Sequence, residues 1–322
     1  MKEDVALPKR EMHWPTVLLY IHLHAFGFYG LWLLLFEAKW LTVIFAILVT
    51  LVAGLGITTG AHRLWAHRTY TASWTLRLFL MLAHTLAGVG SIHDWVLSHR
   101  IHHKFYRTEL DPYNHNNGFM YSHIFANLMT THPKQEKIAK SIDMYDIELD
   151  GFVLLQKRLY WVLMPILGVL LPMNAPAEYW GESIFNSIFI LGFLRFAITV
   201  NISWLVNSAN LIWGLRPGEK YPAEGSAVFF ITKSYWPHYH YMLPWDYKVS
   251  EFGSYDRGCS TTFIKIWETL GHATGLKTAT SEEIRKALAK AATTKSKIDD
   301  CFKDVYKSAE EETLKAKLAA KH

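Results

Sequence analysis

Apolar runs long enough to cross a bilayer recur along the first two thirds of the chain. They lie at residues 17–36, 41–58, 155–173 and 184–206, and a helix needs about 20 apolar residues to span the hydrocarbon core. They contain few charged residues, which disfavours a water-soluble protein with long buried helices. The pattern predicts an all-α integral membrane protein whose four transmembrane helices form two hairpins.

A fifth apolar segment, residues 75–92, carries Arg77 and His84. If it crossed the membrane once, the histidine-rich segments before and after it would lie on opposite sides. We therefore expect an interfacial or re-entrant segment that is buried against protein.

Lysine and arginine predict the orientation. The links 37–40 and 174–183 contain only Lys39, whereas residues 93–158 contain eight such residues. Positive residues favour the cytosolic side, so we expect a cytosolic segment at 1–16, a membrane domain at 17–280 and both termini in the cytosol. Residues 281–322 are polar and are predicted to form a helix or a solvated tail.

Composition narrows the class of protein. Charged residues make up 19% of the chain, against roughly 25% in soluble domains. The net charge is +5, and no basic block is interleaved with stacking aromatics, so nucleic acid is not expected as a partner. Cys259 and Cys301 are too few for a disulfide framework, and they fit a reducing compartment.

Histidines form three candidate metal-binding groups. His62 and His67 in "HRLWAHR" are five residues apart, about 140° around an α-helix, so they reach one ion only if the helix unwinds. The stretch "HRIHHK" places three histidines on one helical face, and "SYWPHYHYMLPWDYK" contains His238 and His240. Neutral imidazoles suit iron, zinc or copper, and their division into groups suggests two ions. A polar interfacial face rich in histidine is the alternative, and His22, His24 and His84 are expected to serve helix packing.

These motifs resemble a known family. "HRLWAHR", "HDWVLSHRIHHK", "DPYN", "WLVNSA" and "PWDYK" occur in the order and spacing of the membrane fatty acyl-CoA desaturases, the stearoyl-CoA Δ9 type, especially those of insects. The resemblance covers about residues 12 to 290. It implies four transmembrane helices with a cytosolic helical cap, a di-iron centre, and electrons from cytochrome b5. It also implies residence in the endoplasmic reticulum and formation of a cis double bond in a saturated acyl chain during unsaturated fatty acid biosynthesis.

Transferred residue by residue, the resemblance gives an incomplete set of ligands and no separate general base. Family histidines are matched by His62, His67, His99, His102, His103 and His240, and Asn207 matches an asparagine that binds a metal through water. At three further ligand positions this chain has Leu211, Pro237 and Tyr241. His238 falls at a non-ligand position and is a further candidate only if its loop shifts. Trp95 and Trp204 match tryptophans near the substrate channel.

The family's polar and charged contacts to coenzyme A are also replaced. Their positions carry Leu97 and Ser98, Thr130 and Thr131, and Pro15 and Thr16. Phosphate groups are usually bound by charge-assisted hydrogen bonds, so the substrate is either a fatty acyl-CoA held differently or a related acyl lipid. Two hypotheses follow: a divergent active desaturase, or a catalytically impaired relative with a lipid-binding or regulatory role. A transporter is disfavoured because the clustered histidines lie outside the spans.

Overall fold

The computed structural model describes residues 10–132, 134–211, 239–248, 258–296 and 298–319. Most of these residues are helical. The long helices are α1 Trp14–Phe36, α2 Trp40–Ala66, α3 Trp74–Ala87, α4 Ile92–Lys104, α5 Gly151–Trp180, α6 Ile184–Ser208, α7 Cys259–Thr269, α8 Ser281–Thr294 and α9 Ile298–Ala319. Short helical segments lie at His115–Asn117, Tyr121–Phe125, Ala126–Leu128, Gln135–Ala139, Tyr145–Glu148, Ala209–Leu211 and Tyr239–Met242.

The all-α membrane class is confirmed. Within the described ranges, α1, α2, α5 and α6 are long and apolar enough to cross a membrane, and each contains one of the four predicted runs. Large apolar side chains such as Phe28 (72% exposed) and Trp161 (80% exposed) point away from the protein, as side chains that face lipid do. α5 extends beyond its predicted run at both ends. It continues through Pro165 with a wider π-helical stretch, Pro165–Leu170, which accommodates the missing N–H.

The chain divides into two compact units. The first comprises Met1–Gly54 and Leu82–Ser208, and the second comprises Leu55–Met81 and Ala209–His322. In the first unit, α1 packs closely against α6. A Cβ on Gly30 would lie 2.2 Å from the carbonyl oxygen of Phe189, and one on Gly27 would lie 3.2 Å from the Cβ of Ala197. Small residues therefore permit this contact, as is usual between membrane helices.

The first unit also contains a sharp bend between α3 and α4. The two helices meet at 84°, and Gly88 and Gly90 adopt φ angles of +71° and +96° there. Ser91 begins α4 by accepting a hydrogen bond from the backbone N–H of Asp94 at 3.1 Å. The side-chain oxygen of Gln156 on α5 accepts from the N–H of Ile92 at 3.0 Å. A bent pair of helices is one form that a re-entrant segment takes.

Arg195 connects three elements of the first unit, although it lies within the apolar helix α6. Its side chain is buried and donates to the carbonyl oxygens of Leu191 and Leu86, both at 2.7 Å, and to that of Gly168. The guanidinium also lies over the ring of Phe196. A buried arginine is tolerated when it is hydrogen-bonded, and here each of its three nitrogens donates to a carbonyl. Two of these carbonyls lie at the end of α3 and in the π-helical stretch of α5.

In the second unit, residues 281–319 form a packed helical hairpin where a solvated tail was the alternative. α8 starts with a capping box in which Thr280 and Glu283 bond reciprocally. Lys290 on α8 pairs with Asp304 on α9 at 2.7 Å. The apolar faces of the hairpin form a buried core with the segment before α7, made of Leu243, Trp245, Ala279, Ile284, Ala287, Ala291, Cys301, Phe302, Val305 and Ala309. A two-residue ladder, β1 Thr71–Ala72 with β2 Ala273–Thr274, runs antiparallel in the same unit.

A buried carboxylate joins the two links between the membrane-length helices of the first unit. Glu182 accepts from the hydroxyl of Thr42 at 2.6 Å and from the backbone N–H of Lys39 at 2.8 Å. The N–H of Ser183 and the amide of Asn186 donate to its other oxygen. Burial opposes ionisation of this carboxyl, but the hydrogen bonds outweigh that effect, so its pKa lies below the usual value of 4.5.

We expect the substitution Glu182→Gln to lower the free energy of unfolding by about 1–3 kcal/mol at pH 7, because an amide cannot accept from all four donors. The ionised carboxylate stabilises the fold above the pKa of the unfolded state, and this contribution disappears as the pH falls through the lower folded pKa. The difference in melting temperature in detergent should therefore shrink below about pH 4.5. Glu178→Gln, at an exposed position on α5, is the control; equal effects of both changes would contradict the prediction.

Candidate metal centre

His62 and His67 come together because the end of α2 is not α-helical. Residues Gly56–Ala66 adopt a π-helix, and the N–H of His67 donates to the carbonyl of His62 at 3.1 Å. This bond spans five residues instead of four, so residues five apart return to the same side of the helix. The imidazole centroids are 4.7 Å apart. The end of α2 therefore has the unwound geometry that His62 and His67 need if they are to bind one ion.

His240 joins this pair within the second unit. Its ring centroid is 4.9 Å from those of both His62 and His67, and its Nε2 lies 3.3 Å from the Nε2 of His62. Each of the three histidines offers a ring nitrogen, and these atoms lie within 4.8 Å of one another. We call His62, His67 and His240 the three-histidine group. His62 and His240 are buried, and His67 is half-buried.

Packing of the following residues positions His240. Leu243 and Trp245 lie in the core that α8 and α9 form, with Ile284, Phe302 and Val305 among their neighbours in that core. His240 itself belongs to the short helix Tyr239–Met242, which is too short to be stable alone. The C-terminal hairpin therefore supports the segment that carries this histidine.

Backbone hydrogen bonds connect the same segment to the residues after His67. Tyr247 donates its N–H to the carbonyl of Lys277 at 3.0 Å, and Lys277 donates to that of Thr69 at 2.9 Å. The buried guanidinium of Arg63 donates to the carbonyl of Asp246 at 3.2 Å. The motifs "HRLWAHR" and "PWDYK" are thus fastened together by main-chain contacts that do not depend on any metal ligand.

The second histidine group lies on α4 in the first unit. The rings of His99 and His103 are 4.7 Å apart, and that of His102 is 6.1 Å from His99 and 5.8 Å from His103. His99 and His102 are buried, and His103 is half-buried. The predicted i,i+3 and i,i+4 face is therefore present, and we call these residues the α4 histidines.

Two of the α4 histidines are oriented by polar side chains. Nδ1 of His99 donates to the side-chain oxygen of Asn207 at 2.8 Å, and Nδ1 of His102 donates to Asp111 at 2.7 Å. Partners of this kind fix the tautomer and ring orientation of a histidine, and here they place the ring proton of both residues on Nδ1. Asn207 thus contacts a predicted ligand directly, while its role in holding a metal-bound water stays a prediction.

His115 belongs to this environment and was not expected from the sequence. Its Nε2 donates to the backbone oxygen of Asn207 at 2.6 Å, and its ring lies 5.0 Å from that of His102. Burial, followed by the nearby His102, lowers the pKa of His115 from 6.5 to about 3, so the ring is neutral near pH 7. The only sequence signal is its place directly after "DPYN", and its contact with Asn207 bridges 92 residues.

Three positions at which the resemblance implies histidine ligands carry other residues. Leu211 ends the short helix Ala209–Leu211 and has no donor atom in its side chain. Tyr241 lies beside His240 with its ring 5.5 Å away. Pro237 and His238 lie outside the described residues.

The two candidate channel tryptophans are buried in the first unit. Trp95 donates its indole N–H to the hydroxyl of Ser203 at 2.9 Å and stacks on His99 with centroids 5.2 Å apart. Trp204 makes an edge contact with Tyr20 at 4.9 Å. The role of both tryptophans at a substrate channel stays a prediction. Trp95 does contact one candidate ligand, His99.

The intramembrane histidines make ordinary packing contacts. His22 and His24 each donate Nδ1 to a carbonyl one turn earlier at 2.7 Å, and the amide of Asn201 donates to Nε2 of His24 at 2.8 Å. His84 is fully buried with its ring 6.4 Å from Trp95.

The positions where the family contacts coenzyme A carry uncharged side chains with local roles. Ser98 bonds to the hydroxyl of Tyr113 at 3.2 Å, and Pro15 lies in the first turn of α1. The carbonyl of Thr130 accepts from Arg10 at 2.8 Å, and the same guanidinium also bonds two other carbonyls. These contacts build the fold and supply no charge toward a phosphate.

The three-histidine group fits a transition-metal ion. Two nitrogens bound to one ion at about 2.0–2.1 Å lie roughly 3.0–3.4 Å apart, and the Nε2 atoms of His62 and His240 are 3.3 Å apart. Three imidazoles suit iron, zinc or copper, whereas calcium and magnesium prefer oxygen ligands. The spacing of the three-histidine group therefore fits one such ion, while metal binding by the α4 histidines stays a prediction.

Comparison with known proteins finds several acyl-CoA desaturases that are similar to this chain. Acyl-CoA Delta-9 desaturase of Acheta domesticus is 43% identical over 281 residues, which cover 86% of this chain and 78% of that protein. Acyl-CoA Delta-12 desaturase of Tribolium castaneum is 39% identical over 292 residues, covering 89% and 82%. Acyl-CoA Delta(11) desaturase of Choristoneura rosaceana is 38% identical over 283 residues, covering 87% and 84%. No protein-family model matches the chain.

We expect His115→Ala to lower the free energy of unfolding by about 1–3 kcal/mol, because the buried carbonyl of Asn207 loses its donor. His115→Gln should lose less, since its amide can donate to the same oxygen. The ring is neutral above about pH 3, so the difference in melting temperature should not change between pH 6 and 8. Unchanged stability of His115→Ala in detergent would contradict this assignment.

Proposed function

Because this chain belongs to the acyl-CoA desaturase family, we propose that it introduces a cis double bond into a saturated acyl chain. The substrate would be a fatty acyl-CoA or a related acyl lipid, and the pathway unsaturated fatty acid biosynthesis. The observation that carries the proposal is the three-histidine group, whose ring nitrogens lie within 4.8 Å of one another at positions where the family has metal ligands. Δ9-type regiospecificity is proposed from the resemblance of the sequence motifs to the stearoyl-CoA Δ9 type.

Iron is the proposed metal, because removal of hydrogen from unactivated C–H bonds needs redox chemistry that a bound metal supplies and side chains lack. The ligands would be the three-histidine group and the α4 histidines, with His238 as an additional candidate. Asn207 orients His99, and Asp111 orients His102. Trp95 and Trp204 would line the path of the acyl chain, where burial of its methylene groups excludes water.

The cellular setting is proposed from the same family membership. Four membrane-length helices support a multi-pass protein, and we place it in the endoplasmic reticulum with both termini in the cytosol, where lysine and arginine predominate. Cytochrome b5 is the proposed electron donor.

The replaced ligands favour a second candidate function. Leu211 and Tyr241 cannot supply the imidazoles that the family has at their positions, and uncharged residues replace the head-group contacts. A catalytically impaired desaturase fold with a lipid-binding or regulatory role accounts for both features. The two functions differ in one measurable property, the formation of unsaturated product.

We expect expression in yeast that lacks its own Δ9 desaturase to restore growth on saturated medium, with monounsaturated acyl chains detected by fatty-acid analysis. His99→Ala should abolish product, because it removes a proposed ligand. His93→Ala is the matched control on the same helix, since its ring contacts Asp94 and Lys157. Correctly inserted protein that forms no product would reject the active enzyme in favour of the lipid-binding function.

We further expect purified wild-type protein to bind fewer than two iron ions per chain, because three ligand positions lack histidine. Changing Leu211, Pro237 and Tyr241 together to histidine should raise the iron content toward two and increase desaturation. Losing even an outer partner of a ligand typically costs about 10–100-fold in affinity or activity, so the gain should be at least of that order. Two tightly bound ions in the wild type would show that these positions are not limiting.

A further inference from the structure

Asp111 is a buried carboxylate with an unusual set of partners. Its side chain and that of His102 are both 0% exposed. One oxygen, Oδ1, accepts from Nδ1 of His102 at 2.7 Å and from the backbone N–H of Tyr113 at 2.9 Å. The other oxygen, Oδ2, is buried and has no hydrogen-bond donor among the residues that the structure describes.

No positive side chain in the described part of the chain compensates this carboxylate. Its one ion-pair partner there is His102, which is positive only when protonated. Arg107 lies four residues earlier, but its guanidinium is directed to the ring of Tyr106, 5.4 Å from the centroid. Burying an unpaired charge is strongly unfavourable, and a cation bound at Nε2 of His102 would balance it.

The chain after α4 is built to place Asp111 beside that helix. Arg107 adopts a left-handed conformation with φ of 59°, and the N–H groups of Thr108 and Asp111 bond to the carbonyls of Phe105 and Thr108 at 3.0 and 3.1 Å. These turns reverse the chain, so that a residue nine positions after His102 reaches its ring. A turn of this regularity fixes the carboxylate before any metal is bound.

We propose that Asp111 is a positioning residue for the metal: it holds His102 with Nε2 directed to the ion and supplies the negative charge that the ion balances. The proposal rests on the proposed function, because it requires His102 to be a ligand. It assigns the buried carboxylate to metal affinity and not to stability of the metal-free fold. A purely structural residue would show the opposite pattern.

The test is Asp111→Asn in the full-length protein, purified in detergent without metal and titrated with Fe²⁺ alone under anaerobic conditions. Asparagine keeps the shape and the acceptor for His102 and Tyr113 but removes the charge. We expect the melting temperature of the metal-free variant to equal or exceed that of the wild type. We expect the dissociation constant of the variant for Fe²⁺ to rise about 10–100-fold, as for other outer partners of histidine ligands. Adding iron should also raise the melting temperature of the variant by less than it raises that of the wild type.

Asp146→Asn is the matched control. Asp146 forms a two-pronged pair with Arg100, which lies on α4 with His102, and both bonds are 2.8 Å long. This change should alter the melting temperature of the metal-free protein and leave the dissociation constant for Fe²⁺ unchanged.

The outcomes separate this inference from the proposed function. Wild-type protein that takes up no iron overturns the proposed function and this inference with it. Wild-type protein that binds iron, together with an unchanged affinity in Asp111→Asn, overturns the inference alone. An Asp111→Asn variant that is less stable without metal, or fails to fold, shows a structural role and also overturns it.

Discussion

The arrangement of the three-histidine group in the second unit depends on the hydrogen bond from the N–H of His67 to the carbonyl of His62. It belongs to a π-helical stretch at the end of α2 that contains Gly56, Gly60 and two threonines, residues with low helix propensity. The hydroxyl of Thr59 bonds to the carbonyl of Leu55 at 2.5 Å, which occupies an acceptor that an α-helix would use. The wider turn brings the rings of His62 and His67 to one side of the helix, where the ring of His240 contacts both.

The rest of the fold can be understood as satisfaction of polar groups that a helical membrane protein cannot leave exposed. Arg195 binds carbonyls released by the end of α3 and by the π-helical stretch of α5. Gln156 accepts a hydrogen bond from the backbone N–H of Ile92 in the first turn of α4. Glu182 accepts hydrogen bonds from backbone N–H groups of the links 37–39 and 181–183. Polar side chains therefore bond the backbone groups that the α3–α4 bend and the wide turn of α5 leave without a helical partner.

The segment that carries His240 is supported by contacts that involve no metal ligand. Main-chain bonds through Lys277 and the packing of Trp245 keep the segment of His240 in place although Tyr241 stands at a family ligand position. Scaffold contacts of this kind do not depend on metal, so selection on folding alone would retain them.

The sequence alone determined the helical membrane class, the four long helices and the identity of most candidate ligands. Apolar length and helical spacing are local properties, and a bilayer or one helix face is enough to interpret them. Tertiary structure decided which side chains orient the ligands: Asp111 for His102, Asn207 for His99, and His115 behind Asn207. It also showed that residues 281–319 pack as a hairpin, because their apolar faces are narrow stripes whose partner, the segment from Leu243 to Trp245, lies far away in the sequence. Contacts between distant residues leave no periodicity in the chain, so only the folded structure reveals them.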